Sequence, residues 1–155
     1  MKAILAAASA AIIASASAMA NNLDPNNPSG NVVDRFADIE VLRYTVPGFN
    51  ELSPRQRLLV YYLTEAALQG RDILWDQNGR YNLQLRRVLE SLYQNYKGDR
   101  ATPEFLAFEK YLKQVEFGNG PHHHYSADKF VPGFTRGWFD GALAEAGIPA
   151  PSAEV

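Results

Sequence analysis

Apolar residues recur at helical spacing in four stretches of the chain. The clearest start is Ser53-Pro54, a serine N-cap followed by a proline placed where it costs no hydrogen bond. Leu58, Leu59, Tyr62, Leu63, Ala66 and Ala67 follow at i, i+4 spacing, which predicts a helix over 54–69. Its apolar face is wide enough to imply burial on more than one side. Gly70 either stops this helix or is tolerated inside it, because Ile73, Leu74 and Trp75 continue the apolar row before a turn at Asp76-Gln77-Asn78-Gly79. Leu85, Val88, Leu89, Leu92, Tyr93 and Tyr96 predict a second helix over 82–96 with Gly98 as the stop. Thr102-Pro103 repeats the cap-plus-proline start, and Phe105, Phe108, Leu112 and Val115 carry a third helix to about Phe117. Phe134, Trp138, Phe139, Leu143 and Ala146 fit a last one, stopped by Gly147.

A shorter helix is expected over 34–44, with Asp34 as cap and Phe36, Ile39, Glu40 and Arg43 at helical spacing before Pro47-Gly48. No alternating run of strand length stands out, so the expected fold class is mainly α. Four to five helices would occupy 34–146, followed by a tail over 147–155 without a pattern of its own.

The first twenty residues read as a secretory signal. Lys2 supplies the positive start, Ala3 to Ile13 is apolar, and Ala18-Met19-Ala20 is a small-x-small cleavage site. An exported, periplasmic protein beginning near Asn21 is the expectation. The Ala- and Ser-rich run inserts poorly compared with Leu and Ile, and polar Asn21-Asn22 follows it, which argues against a stable membrane anchor. The stretch 21–33 opens with an Asn-, Pro- and Gly-containing segment that cannot bury enough apolar surface to order itself, and is expected to be a linker.

Composition narrows the partners. A formal net charge of −2 with mixed signs along the chain leaves no basic stripe, which sets nucleic acid aside. The absence of cysteine excludes a disulfide framework, a thiolate zinc site and a lipidated cysteine.

The chemistry-bearing residues concentrate in 119–132. Gly118, Asn119, Gly120 and Pro121 break the preceding helix, and Pro132-Gly133 closes the segment, so His122, His123, His124, Tyr125 and Asp128 fall in a loop between helical regions. Binding groups usually sit on such loops. These are the only three histidines of the chain. Adjacent residues of an extended loop point to opposite sides, so at most His122 and His124 could share a metal, with Asp128 folding back as third ligand. A His-x-x-x-His pair on one helix face is absent, as are a Gly-x-Ser-x-Gly nucleophile elbow and a glycine-rich phosphate loop. No catalytic residue and no metal ligand is assigned on these grounds.

The ordered set Leu52-Ser53-Pro54, Tyr61-Tyr62-Leu63, Ala66-Ala67, Tyr81, the run from Leu85 to Tyr93, the run from Phe105 to Tyr111 and the ending Asp128-Lys129-Phe130-Val131-Pro132 resembles the N-terminal region of dipeptidyl peptidase III. The similarity is strongest to bacterial members, which carry a closely similar Asn-Gly-x-His-His-His-Tyr loop and a similar Asp34-Arg35-Phe36-Ala37-Asp38-Ile39 start, and it spans roughly 34–143. The family implied is a two-lobed zinc exopeptidase that releases dipeptides from peptide N-termini. Its zinc is held by a His-Glu-x-x-Gly-His helix and a downstream Glu. No His-Glu pair occurs in this chain, so the resemblance implies the front part of such an enzyme, with the zinc ligands elsewhere, the remaining lobes as partners and no hydrolysis by this chain alone. A truncated product is the favoured explanation.

For the loop, the resemblance implies a place on the wall of the peptide cleft. Tyr125 would contact a substrate side chain, and His122, His123, His124 and Asn119 would offer hydrogen bonds there. Tyr125 could equally cover helix ends. If the other lobes cover the faces of Phe105, Phe108 and Trp138, the chain alone should expose apolar surface and tend to self-associate. The alternative reading is a non-catalytic exported helical protein that binds a peptide or a metal through His122 to Tyr125.

Overall fold

The computed structural model describes residues 31–151. The expected export signal, linker positions 21–30 and tail residues 152–155 lie outside the described residues. The chain divides into two compact units, one ending at Ser53 and one starting at Pro54.

The first unit corrects the expected helix over 34–44. Strands β1 (Val32–Phe36) and β2 (Ile39–Leu42) pair antiparallel, with Phe36 opposite Ile39 across the two-residue turn Ala37-Asp38. Ala37 sits at φ 51, the left-handed conformation that such a tight turn demands. Arg35 lies opposite Glu40 in the register, and their side chains form an ion pair at 3.0 Å. Val32, Val33, Ile39 and Val41 are β-branched and favour an extended chain. The spacing of Phe36, Ile39 and Arg43 that reads as helical is met equally by a hairpin, because the turn resets the alternation. The pairing slips between Val32 and Asp34, and the strand, which starts at Val32, takes in the last two positions of the expected linker. A single-turn 3₁₀ helix, Phe49–Glu51, follows.

The second unit is helical throughout its regular structure: α1 (Pro54–Gln69), α2 (Arg71–Asn78), α3 (Asn82–Asn95), α4 (Pro103–Gly118) and α5 (Arg136–Ala146). A mostly helical fold is therefore observed, with a two-stranded sheet added. Gly70 separates α1 from α2, and the turn expected at 76–79 comes later, because α2 continues through Asn78. The Thr102 hydroxyl accepts a hydrogen bond from the Phe105 N–H at 3.3 Å, and the Thr135 hydroxyl accepts one from the Trp138 N–H at 3.2 Å. Both are N-caps that satisfy an otherwise orphaned donor. Thr135 starts α5 two residues later than the apolar pattern suggests, so Phe134 packs from the preceding loop. Gly147 ends α5 at φ 71.

The core of this unit lies among α3, α4 and α5, with α2 contributing Trp75. Phe108 is 0% exposed and lies 5.8 Å from both the Phe134 and Trp138 rings. Phe105 stacks on Tyr96 at 4.6 Å. The faces of Phe105, Phe108 and Trp138, which other lobes could have covered, are instead packed against one another within this unit, with Trp138 half-buried.

The uncovered surface is α1. None of its residues is buried, against the expected burial on more than one side. Periodicity states which faces suit an apolar environment, and it is silent on where the cover resides. Among the described residues no helix is long and apolar enough to cross a membrane.

Helix α2 is fastened to the core by charge as well as by Trp75. Arg71 pairs with Glu116 of α4 at 2.6 Å, and Asp72 pairs with Arg86 and Arg87 of α3 at 2.9 and 3.3 Å. Arg86 also holds Glu90 at 2.9 Å and lies over the Trp75 ring.

Candidate functional site: the histidine-tyrosine loop

Helix α4 ends in a left-handed residue, Asn119 (φ 51), whose carbonyl accepts a hydrogen bond from the buried Asn82 side chain at 3.0 Å. Asn82 is the first residue of α3, so the exit of one helix is pinned to the entry of another. Gly120 follows at φ 155, and a Cβ there would run into the Asn82 amide. Glycine is required at this point because the backbone passes so close to Asn82. Nothing in the apolar pattern marks Asn82, and the glycine is the only sequence signal of the close approach.

Beyond Gly120 the chain makes a small antiparallel excursion. His122 bridges Lys129, the Phe130 N–H donates to the Pro121 carbonyl at 2.8 Å, and the His123 N–H donates to the Asp128 carbonyl at 2.8 Å. The Ser126 N–H donates to the His123 carbonyl at 3.2 Å and closes the tip. The Ser126 hydroxyl donates to the Asp128 carboxylate at 2.9 Å and accepts from the Asp128 N–H at 3.2 Å. Local side chain to backbone bonds of this kind hold a turn without regular structure.

The expectation that neighbouring histidines diverge is corrected by this turn. The His123 and His124 rings stack at 4.3 Å, and Tyr125 lies 4.1 Å from His124. Alternation belongs to extended chain, and the backbone bends between His123 and Ser126. Phe117 of α4 meets His124 edge-on at 4.8 Å, and Phe130 approaches His123 at 6.0 Å, so the imidazoles rest on an aromatic floor. The Tyr125 N–H donates to His123 Nδ1 at 3.2 Å, which leaves the proton of a neutral ring on Nε2. The Tyr125 side chain is 88% exposed.

The structure therefore gathers His123, His124 and Tyr125 into one cluster. His122 belongs to the bridged pair with Lys129, and Asn119 lies back at the helix end with its carbonyl engaged by Asn82. Beside the cluster is an open depression of about 400 Å³ lined by His123, Tyr125, Ser126, Asp128, Lys129 and Phe130. The sequence pattern marks Asp128 but gives no contact role to Ser126, Lys129 or Phe130, and the proximity of Lys129 and Phe130 follows from the bridge. An aromatic ring, a carboxylate and an ammonium within one depression can receive an apolar side chain and the charged groups of a short peptide.

Zinc does not fit these residues. Among the described residues no three His, Asp or Glu side chains converge as ligands. His123 Nδ1 is taken by a backbone donor, and His124 Nδ1 is enclosed. Among the described residues a three-ligand set from His122, His124 and Asp128 is not assembled.

No protein-family model matches the sequence, and a search of curated proteins finds no relative for it.

Proposed function

We propose that this chain is the N-terminal, substrate-cleft part of an exported dipeptidyl-peptidase-III-like zinc metallopeptidase, which releases dipeptides from peptide N-termini. The observation that supports the reading is the loop itself: Tyr125 stands out into solvent beside the stacked His123 and His124 rings, at an open depression of about 400 Å³. A ring this exposed adds little to the stability of the chain, and it offers a stacking surface to a ligand. Tyr125 and the histidines act as cleft wall. Zinc and the general base belong to the other lobe, so the chain by itself hydrolyses nothing.

The test is titration of the isotope-labelled chain with a tetrapeptide bearing an apolar second residue, observed by NMR. Shifts confined to Tyr125, His123, His124 and Phe130, and lost in Tyr125→Ala, are expected. Shifts confined to the distant α5 surface, or none at millimolar peptide, would remove the reading. Clear turnover of a dipeptidyl-arylamide by the chain with zinc would also contradict it. Calorimetry with zinc addresses the rival reading of a metal-binding loop. A single tight site lost in His124→Ala would favour a metal-binding protein instead.

A further inference from the structure

The tip of the histidine-tyrosine loop is closed by bonds of two kinds. Most are made by backbone groups, a hydroxyl and a carboxylate: the His123 N–H to the Asp128 carbonyl at 2.8 Å, the Ser126 N–H to the His123 carbonyl at 3.2 Å, and the Ser126 hydroxyl to the Asp128 carboxylate at 2.9 Å. The bond from the Tyr125 N–H to His123 Nδ1, at 3.2 Å, is different. Its acceptor is an imidazole, the side chain whose charge changes between about pH 5 and 8.

Nδ1 accepts only while it carries no proton. A protonated imidazole bears hydrogen on both nitrogens and accepts at neither, so the Tyr125 N–H then faces another donor. His124 does not stand in as acceptor, because its Nδ1 is enclosed and, among the described residues, has no hydrogen-bond partner.

The surroundings of His123 add to the effect. The His124 ring stacks on it at 4.3 Å, with the Phe130 ring at 6.0 Å and the Tyr125 ring at 6.1 Å. The depression beside them holds one carboxylate, Asp128, and one ammonium, Lys129, to which His122 is bridged. From α4, Phe117 meets His124, while Glu116 is engaged by Arg71 and Arg86. A proton on His123 therefore places a second cation in a depression whose charges otherwise balance.

We propose that His123 is a proton-operated latch on this loop: the neutral ring holds the Tyr125 amide and keeps the tip closed, and the protonated ring releases it, so that a peptide binds less tightly as pH falls. The effect on peptide rests on the proposed cleft-wall function; the latch itself does not. A net hydrogen bond of this kind moves an equilibrium by about two- to tenfold, which sets the size of the effect.

The experiment uses the isotope-labelled full chain, first without peptide. Long-range proton-nitrogen NMR spectra near pH 8 should show the His123 ring with its proton on Nε2. As pH is lowered to about 5, the Tyr125 amide proton should move upfield in step with the His123 ring, and its exchange protection, corrected for the intrinsic rate, should fall by about two- to tenfold. The same tetrapeptide is then titrated at both ends of the range, and its affinity should fall by a similar factor. His123→Asn keeps an acceptor oxygen near the place of Nδ1 and cannot be protonated, so the tip and the affinity should no longer respond to pH. His124→Phe keeps the ring stack and should keep the response. A His123 ring with its proton on Nδ1 near pH 8, or a Tyr125 amide that stays unmoved while the ring titrates, would overturn the latch in the parent chain alone. A pH response that survives His123→Asn would overturn it as well. An amide that responds while peptide shifts are missing at every pH would remove the cleft-wall reading and leave the latch standing.

Discussion

The contact between Asn82 and Gly120 makes a prediction that two single variants and their combination can decide. Asn82→Ala removes the 3.0 Å hydrogen bond to the Asn119 carbonyl at the point where α4 hands over to the loop. The bond is part-buried, and losing a hydrogen bond of this kind costs about 1 kcal/mol. In a unit of roughly 100 residues, 1 kcal/mol shifts Tm by about 4–8 °C, so a loss of at least 4 °C is expected. Gly120→Ala places a methyl group against the Asn82 amide at a backbone angle that side chains rarely adopt, and strain of that kind costs about 1–3 kcal/mol before the collision is counted. In the double variant the amide is gone and the methyl has room. The combined loss should therefore fall short of the sum of the single losses by 0.5 kcal/mol or more. The assay is thermal and urea unfolding by circular dichroism, with amide hydrogen exchange at His123 and Phe130 reporting whether the loop loosens. Strict additivity, or Asn82→Ala melting within 1 °C of the parent, would refute the claim that this contact fixes the loop.

Three further outcomes follow from the same structure. Phe108→Ala should cost about 3–5 kcal/mol in urea unfolding, because the ring is fully enclosed and its neighbours cannot collapse onto the space it leaves. Tyr125→Ala should leave stability within about 0.5 kcal/mol while reducing peptide-induced shifts, since an exposed ring contributes little to folding. Glu116 has its carboxyl raised by burial first and by Glu90 second, partly offset by Arg71 and Arg86. The folded chain then holds that proton more tightly than the unfolded chain, so this contribution to stability is full below the ordinary glutamate range and lost as pH rises through the folded value. Glu116→Gln should remove that dependence, gaining on the parent as pH rises above the ordinary glutamate range in paired melts.

The helices of the second unit are legible because their signals are local. Ser53-Pro54, Thr102-Pro103 and Gly147 mark ends, and the apolar rows mark faces; α1 and α4 begin at the prolines read as their starts. The hairpin escapes because Phe36 and Ile39 satisfy both periods, and the turn that distinguishes them rests on a left-handed Ala37 rather than on a glycine. The burial expected for α1 is absent for a different reason: its pattern describes an environment, and the cover is not supplied by the described residues. The loop was found through its composition. The stacking of His123 on His124 was not legible, because it depends on hydrogen bonds among Ser126, Asp128 and His123 that fold the tip back. Asn82 lies 37 residues before the carbonyl it holds, a separation that no local pattern bridges.

The central claim is that this chain forms one wall of a peptidase cleft whose zinc helix is carried elsewhere. Sequencing the coding region that follows the codon for Val155 tests it most directly. The account predicts an in-frame or adjacent segment encoding His-Glu-x-x-Gly-His and a downstream Glu. A following region that encodes no such motif in any frame, together with a loop that leaves peptide resonances unmoved, would contradict it.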